Sequence, residues 1–345
     1  MSELPARPDL DQLRRRARDL LRAAHEGQPS AQAAFAAVGR PATLAAALLI
    51  VARDHGFTSW PALTLEVERR RILTARDAAA LTDLLRRHPE LASARMQQWC
   101  DHRWGPTPLS YLALLRYDTA TGRWRDMPGT GALARILIEA GAPVDGLAGD
   151  PETPLMTAAS YGDAELAQVL VDAGADLTAT AAGTAGGAPG GTALRHAAVF
   201  GMGDVARVLV AAGAADLVAA AAEGSVDGWE LSATGIDDRV AALRMAAERG
   251  RVAVIDRLLA AGTPIDGVDR DGSTALHAAA YAGRPDSVRH LMVRGADPTR
   301  RDTRFDATPL EWCRQAREES GAAGGHDAVE RIFTAASEQP RRLDS

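Results

Sequence analysis

The sequence predicts an all-α protein made of stacked, repeated helix pairs, and three observations predict it. A four-point frame of leucine and glycine recurs along the chain. Apolar residues between the frame points fall at i, i+3, i+4 spacing, the period of a helix face. Residues 1–60 break into helix-length runs bounded by Asp, Ser, Thr and Gly, the residues that start and stop helices.

The frame is clearest in "DGSTALHAAAYAGRPDSVRHLMVRGADP", residues 271–298. Counting from Leu276, glycine follows at Gly283, leucine at Leu291 and glycine at Gly295. Leu155 leads in the same register to Gly162, Leu170 and Gly174, Leu194 to Gly201, Leu209 and Gly213, and Leu243 to Gly250, Leu258 and Gly262. The spacing describes a short first helix that begins at Thr/Pro-Leu and buries its leucine and small Ala-Ala pair. A glycine ends it, and a second helix with a "VLV" or "RLL" face follows and ends in turn at glycine. Small residues on the first helix let layers approach closely. One such unit cannot bury its own apolar face, so units must stack.

These residues resemble the ankyrin repeat. Its T-P-L-H-x-A hallmark stands here as Thr274-Ala-Leu-His-Ala-Ala, and in weaker form as "TPLMTAA" from Thr153. The resemblance runs over about residues 62–335 and implies units of about 33 residues, each a β-turn and two antiparallel helices. The implied fold is an all-α, ankyrin-type helical-repeat solenoid with short β-turn fingers. Residues 1–60 form an N-terminal helical segment and residues 61–345 an array of about seven to eight units.

The array departs from its period near residues 100–130, 178–192 and 214–240. Leu217 and Gly224 in "LVAAAAEG" match a first helix, but Ser232 stands where the second-helix leucine belongs. Residues 216–235 therefore read either as a repeat that has lost its finger and much of its second helix, or as a capped insertion. "ATAAGTAGGAPGG" lengthens one finger into a loop expected to be mobile, since little in it can be buried. The first clear unit, from Thr107, carries "YDTATGRWRDMPGTG" between its helices; the last, from Ala307, carries "EESGAAGGHD". A weaker unit, "LTLEVERRRILTARDAAALTDLLRRHPELA", precedes the first clear one. Terminal units diverge because their outer faces meet water.

At the N-terminus, "PDLDQLRRRARDLLRAAHEG", "PSAQAAFAAVG" and "TLAAALLIVARDHG" read as three helices. The segment resembles the region ahead of the repeats in some bacterial ankyrin-repeat proteins. It is read as a cap on the first repeat, with a helical region of independent function as the alternative.

Composition narrows the functions. Hydrophobic residues make up 46% of the 345 and charged residues 24%, a globular balance. No apolar run approaches the roughly 18–20 residues that span a bilayer, and no signal pattern opens the chain, so a cytoplasmic location with no membrane partner is expected. The net charge of −6 disfavours nucleic acid. There is no lysine among the 39 cationic residues, which excludes Schiff-base chemistry, lysine-bound pyridoxal phosphate and a Walker-type phosphate loop. Cys100 and Cys313 form no CxxC and are expected to be free thiols.

Chemistry-bearing residues are few. His277 belongs to the repeat hallmark, where the family's histidine bonds the base of a turn. "WCDHRWGP" places Cys100, Asp101 and His102 together, but no second Cys/His group offers the ligands a zinc site needs. No cofactor or metal is implied. Trp99, Trp104, Trp124, Trp229 and Trp312 sit in irregular units, either as packing filler or as binding anchors.

The family resemblance implies that partners are gripped by fingers and by the residues just before the first helix's glycine. Position by position these are Asp150, Glu152, Ser160 and Tyr161, then Val199 and Phe200, Glu248 and Arg249, and Arg270, Asp271, Ser273 and Tyr281. The expected function is a monomeric, non-enzymatic scaffold that binds a partner protein through a concave groove. The alternative is a small-molecule binder or enzyme with an irregular pocket near Trp104, Tyr111, Arg195 and His196, although no nucleophile–base–orienter set is recognisable.

Overall fold

In a computed structural model the described residues are 4, 8–96, 105–118, 121–269, 271–320 and 325–338. They are mostly helical and divide into two compact units. One comprises residues 1–196 with 202–212, the other 197–201 with 213–345.

The first unit opens with α1 (Leu10–His25), α2 (Pro29–Ala37) and α3 (Leu44–Asp54). The caps follow from the sequence at two of the three. The Asp9 carboxylate accepts from the backbone N–H of Asp11 and Gln12, and the Thr43 hydroxyl from that of Ala46. Helix α2 instead starts at Pro29 with no side-chain cap, the proline's missing N–H being one that needs no partner there. Ala17, Phe35, Ala47 and Val51 form a core that continues through Phe57 into Leu63 and Val67 of α4 (Trp60–Ala75). The three helices thus share one core with α4.

Helix α4 buries charge as well as apolar surface. Glu66, Arg69 and Arg70 are all buried. Glu66 accepts from Nε of Arg69 at 3.1 Å and from Nε of Arg70 at 3.0 Å. Arg69 also donates to the carbonyls of Leu91, Ala94 and Arg95 at 3.3, 2.8 and 3.0 Å. It thereby supplies partners to carbonyls in and just after the short 3-10 turn Pro89–Ala92, which follows α5 (Ala78–Arg87).

Helix pairs follow: α6 (Pro108–Leu114) with α7 (Thr130–Glu139), α8 (Pro154–Tyr161) with α9 (Ala164–Asp172), and α10 (Ala193–Val199) with α11 (Gly203–Ala211). The insertion after α6 forms a two-stranded antiparallel hairpin, β1 (Tyr117–Asp118) and β2 (Arg123–Trp124), with Tyr117 opposite Trp124. Helix α8 ends at Gly162 with φ +69°, a left-handed cap that a side chain would strain.

The long finger at residues 178–192 is exposed at seven of its fifteen positions, as a solvated loop would be, but some of its small residues are buried. Ala181, Ala185 and Ala188 are buried. The Ala181 N–H donates to Gly191 O, that of Gly190 to Ala181 O and that of Ala182 to Pro151 O. Alanine is small enough to lie flat against the helices, so an Ala/Gly-rich stretch need not be solvated throughout.

The second unit contains α12 (Leu217–Glu223), α13 (Ile236–Glu248), α14 (Val252–Ala260), α15 (Ala275–Tyr281), α16 (Pro285–Val293), α17 (Pro309–Ser320) and α18 (His326–Glu338). After α12 there is no second helix. Residues 225–235 run as turns directly into α13. A cationic or imidazole side chain caps three successive first helices here. Arg251 Nε donates to Ala222 O, Arg284 Nε to Glu248 O and His326 Nε2 to Tyr281 O, each at 2.9 Å. Each donor directly follows a glycine, and it satisfies a carbonyl at the negative end of the preceding first helix.

His277 is fully buried, and its partners fix its tautomer. Nε2 lies 3.1 Å from the Ala307 carbonyl, which can only accept, so Nε2 carries the proton. Nδ1 accepts from the Thr274 N–H at 3.2 Å and lies 2.9 Å from the Thr274 hydroxyl. Burial holds the imidazole below its ordinary pKa, against the opposing Ala307 hydrogen bond.

Candidate functional site

Tyr161 and Tyr281 each stand in the last turn of a first helix, α8 and α15, one frame position apart, and each belongs to an aromatic cluster. In the first unit the Trp124 ring stands 5.9 Å from that of Tyr161 at 62°, and 5.1 Å from that of Tyr117 at 61°. Both are edge-to-face arrangements. The hairpin is tied down beside Tyr161, whose carbonyl accepts from Arg116 Nε at 3.1 Å, and Arg125 N–H donates to Arg116 O at 2.7 Å. Trp124 is nevertheless 55% exposed.

In the second unit Trp312 is the hub. Its ring lies 5.8 Å from Tyr281, 6.2 Å from Phe305 and 5.4 Å from His277, all edge-on. Its indole N–H donates to Asp302 Oδ2 at 2.9 Å. Tyr281 donates its hydroxyl proton to Glu319 Oε2 at 2.9 Å, a bond that raises the phenol's pKa. Phe305 is 63% exposed and Tyr281 45%.

The other groove positions divide by burial. Phe200 is exposed, Val199 is half-buried and Glu248 is half-exposed. Arg249 is committed to the carbonyls of Ala198 and Val199 at 3.0 and 3.3 Å. Ser273 is fully buried, donating from its hydroxyl to Asp269 and accepting from Arg244. The Asp271 carbonyl accepts from Thr303 N–H, which joins neighbouring fingers. Asp150 accepts from Leu147 N–H at 2.8 Å and pairs with Arg95. Glu152 accepts from Gly187 N–H at 3.2 Å. Ser160 is buried, with Oγ 2.8 Å from Nδ1 of His196. Arg270 lies outside the described residues.

Two members of the alternative pocket are core residues. Tyr111 is fully buried and bonds Thr74 of α4, close to Arg70 and Glu66; burial above all raises its pKa. His196 is also fully buried and faces α8 through Ser160. Arg195 is half-buried against Gly191, and its N–H donates to the Thr192 hydroxyl. Tyr111 and His196 thus meet different elements rather than one another. Ser160 sits on the last turn of α8, where the helix dipole disfavours an alkoxide. Trp104, Cys100, Asp101 and His102 lie outside the described residues.

Cys313 is a buried free thiol, pushed up to about 11 by burial and then by the Glu330 charge. Among the described residues no cluster of His, Cys, Asp or Glu has the makings of a metal site, and no helix is long and apolar enough to cross a membrane.

Sequence reasoning picked out Tyr161 and Tyr281 but missed Phe305 and the role of Asp302. The signal was available in "RRDTRFDATPLEW", where an Asp precedes a run of turn residues and a Trp follows ten positions on.

Residues 128–221 and 217–302 match the family model described as ankyrin repeats in three copies. No curated protein matches the chain. Among solved structures the chain is similar to the human ASB11 ankyrin repeat domain, at 20% identity over 80% of this chain and 98% of that one, with a TM-score of 0.42. With the family model spanning residues 128–302, just over half its length, the chain belongs to the ankyrin-repeat family.

Proposed function

We propose that the protein is a non-enzymatic scaffold that holds a partner protein through two aromatic clusters, one in each compact unit. Ankyrin repeats are in general protein–protein interaction scaffolds. The finer reading is a groove lined by the ends of the first helices and the fingers beside them. One observation carries it: Tyr161 and Tyr281, each in the last turn of a first helix, each belong to an edge-to-face cluster that leaves an aromatic ring exposed, Trp124 in one and Phe305 in the other. A packing filler would be buried. Exposed Trp and Tyr held in fixed rotamers are typical binding anchors, since little side-chain entropy remains to be lost.

Asp150, Glu152, Ser160, Arg249 and Ser273 support these surfaces from within, and Val199, Phe200, Glu248 and Asp271 extend them. The test is a quantitative comparison of proteins retained from a native-cell extract by wild type and by a Trp124→Ala/Tyr281→Ala variant of unchanged thermal midpoint. A partner lost from the variant is expected. Identical retained sets would refute the proposal.

A further inference from the structure

Tyr281 and Phe305 are exposed rings that pack edge-to-face on one half-buried indole, Trp312, at 5.8 and 6.2 Å. The turn that carries Phe305 does not single them out. Asp302 gathers its finger by accepting the N–H of Arg304 at 2.8 Å and of Phe305 at 2.7 Å. Asp269 gathers the preceding finger in the same way, from Asp271 at 3.0 Å and Ser273 at 2.9 Å. Such turns build the array, so the partner's chemistry has to be read from the charge around the rings.

That charge is negative. The last finger and α17 bring Arg300, Arg301 and Arg304 here against Asp302, Asp306, Glu311, Glu318 and Glu319, and Asp271 joins from the preceding finger. The other two cations of α17, Arg314 and Arg317, are turned to Glu330 and Asp327 of α18 instead. Toward α13 one charge of each sign is added, Arg284 donating from Nε to the Glu248 carbonyl at 2.9 Å. Arg301 already serves two carboxylates, Asp306 at 3.7 Å and Glu311 at 3.4 Å. Arg304 lies 3.6 Å from Asp271 and 5.1 Å from the Phe305 ring centroid, a guanidinium held between a carboxylate and an aromatic face.

Tyr281 has the ring and the carboxylate of that arrangement without the cation. Its hydroxyl donates to Oε2 of Glu319 at 2.9 Å, and the Gln315 amide donates to Oε1 at 2.9 Å. The Gln315 and Tyr281 donors hold this carboxyl below its ordinary range. Both are neutral, and no cation pairs with Glu319 among the described residues. Each oxygen accepts one hydrogen bond and has room for a second. An ionised carboxylate is thus fixed at the rim of an exposed ring.

We propose that Tyr281 and Glu319 receive an arginine side chain from a segment of a partner protein. The planar guanidinium lies against the Tyr281 ring and donates to both oxygens of Glu319, as a charge-assisted fork. Arg304 on Phe305 beside Asp271 is the same grouping made within the chain. An acidic segment or a nucleic acid would instead meet a surplus of carboxylates and be repelled. The proposal rests on the scaffold reading and narrows it to one partner chemistry.

The test is fluorescence anisotropy on the full chain with a labelled peptide in which Arg alternates with Gly and Ser. One matched peptide carries citrulline at every Arg position, which keeps the shape and removes the charge, and another carries Glu. The Arg peptide is expected to bind at least about tenfold more tightly than either match and to weaken as salt rises. Glu319→Gln and Tyr281→Leu should each cost about tenfold or more, with thermal midpoints unchanged for Glu319→Gln. Glu139→Gln, the same charge change at an exposed site on α7, should bind as wild type. No binding of the Arg peptide, equal binding of the citrulline match, tighter binding of the Glu match, or equal losses in Glu319→Gln and Glu139→Gln would each overturn the proposal. None of these outcomes touches the scaffold reading, which is tested on a whole partner through Trp124 and Tyr281.

Discussion

Ser160 and His196 meet inside the first unit, Oγ to Nδ1 at 2.8 Å, although 36 residues separate them. The long finger closes over them: a Cβ added at Gly187 would come within 3.0 Å of the imidazole. The hydroxyl is therefore a partner for a buried ring rather than a surface donor. Ser160→Ala should lower unfolding stability by about 1–2 kcal/mol, read from urea denaturation, and leave partner affinity unchanged. A stable variant with weakened binding would return Ser160 to the recognition surface.

Glu66 is the only acid in the buried α4 cluster with Arg69 and Arg70. Its removal leaves two guanidiniums buried without their shared carboxylate. Glu66→Ala should cost about 3–5 kcal/mol, measured by chemical denaturation. A loss below about 1 kcal/mol would mean that water enters the cluster.

Asp163 caps α9, accepting from Leu166 N–H at 3.0 Å and from the Thr130 hydroxyl at 2.8 Å. Burial raises its pKa despite these donors, so folding holds the proton more tightly than the unfolded chain does. Its contribution to stability should therefore fall as pH rises from about 3.8. Asp163→Asn keeps the acceptor without the charge and should be near neutral at pH 7, whereas Asp163→Ala should cost about 1–2 kcal/mol. Equal losses in both would show that the charge itself stabilises the site.

His277 has the opposite sign of proton linkage. Its folded pKa lies below its unfolded value, so its stabilising bonds are fully present above about pH 6.5 and are lost as pH falls through the folded value. The stability difference between wild type and His277→Gln should shrink from pH 7.5 to pH 5.5 in parallel urea titrations. A constant difference would contradict a buried, neutral imidazole.

The repeating frame was legible because glycine and leucine have fixed physical jobs in it. Gly162, Gly201, Gly250 and Gly283 all have positive φ, and Leu155, Leu243, Leu258, Leu276 and Leu291 are all buried. His277 was legible for the same reason. Long-range pairings such as Ser160 with His196 were not, since no periodicity links positions in neighbouring repeats. In the finger at 178–192 the three buried alanines were not legible, because Ala and Gly content suggests solvation along its whole length. Burial in Ser273 and Arg249's bonds to backbone carbonyls were equally hidden, because position within a repeat says where a residue stands and not which neighbour occupies its polar atoms.

The most direct measurement is calorimetric titration of a partner retained by wild type into single alanine variants at Tyr161 and Tyr281, with exposed Val210 and Val293 as controls. Affinity is expected to fall about 30-fold or more at one tyrosine at least, the loss of about 2 kcal/mol that marks a binding anchor, and to stay unchanged at both valines. Full affinity in both tyrosine variants, or a loss at the valines instead, would place recognition away from the aromatic clusters.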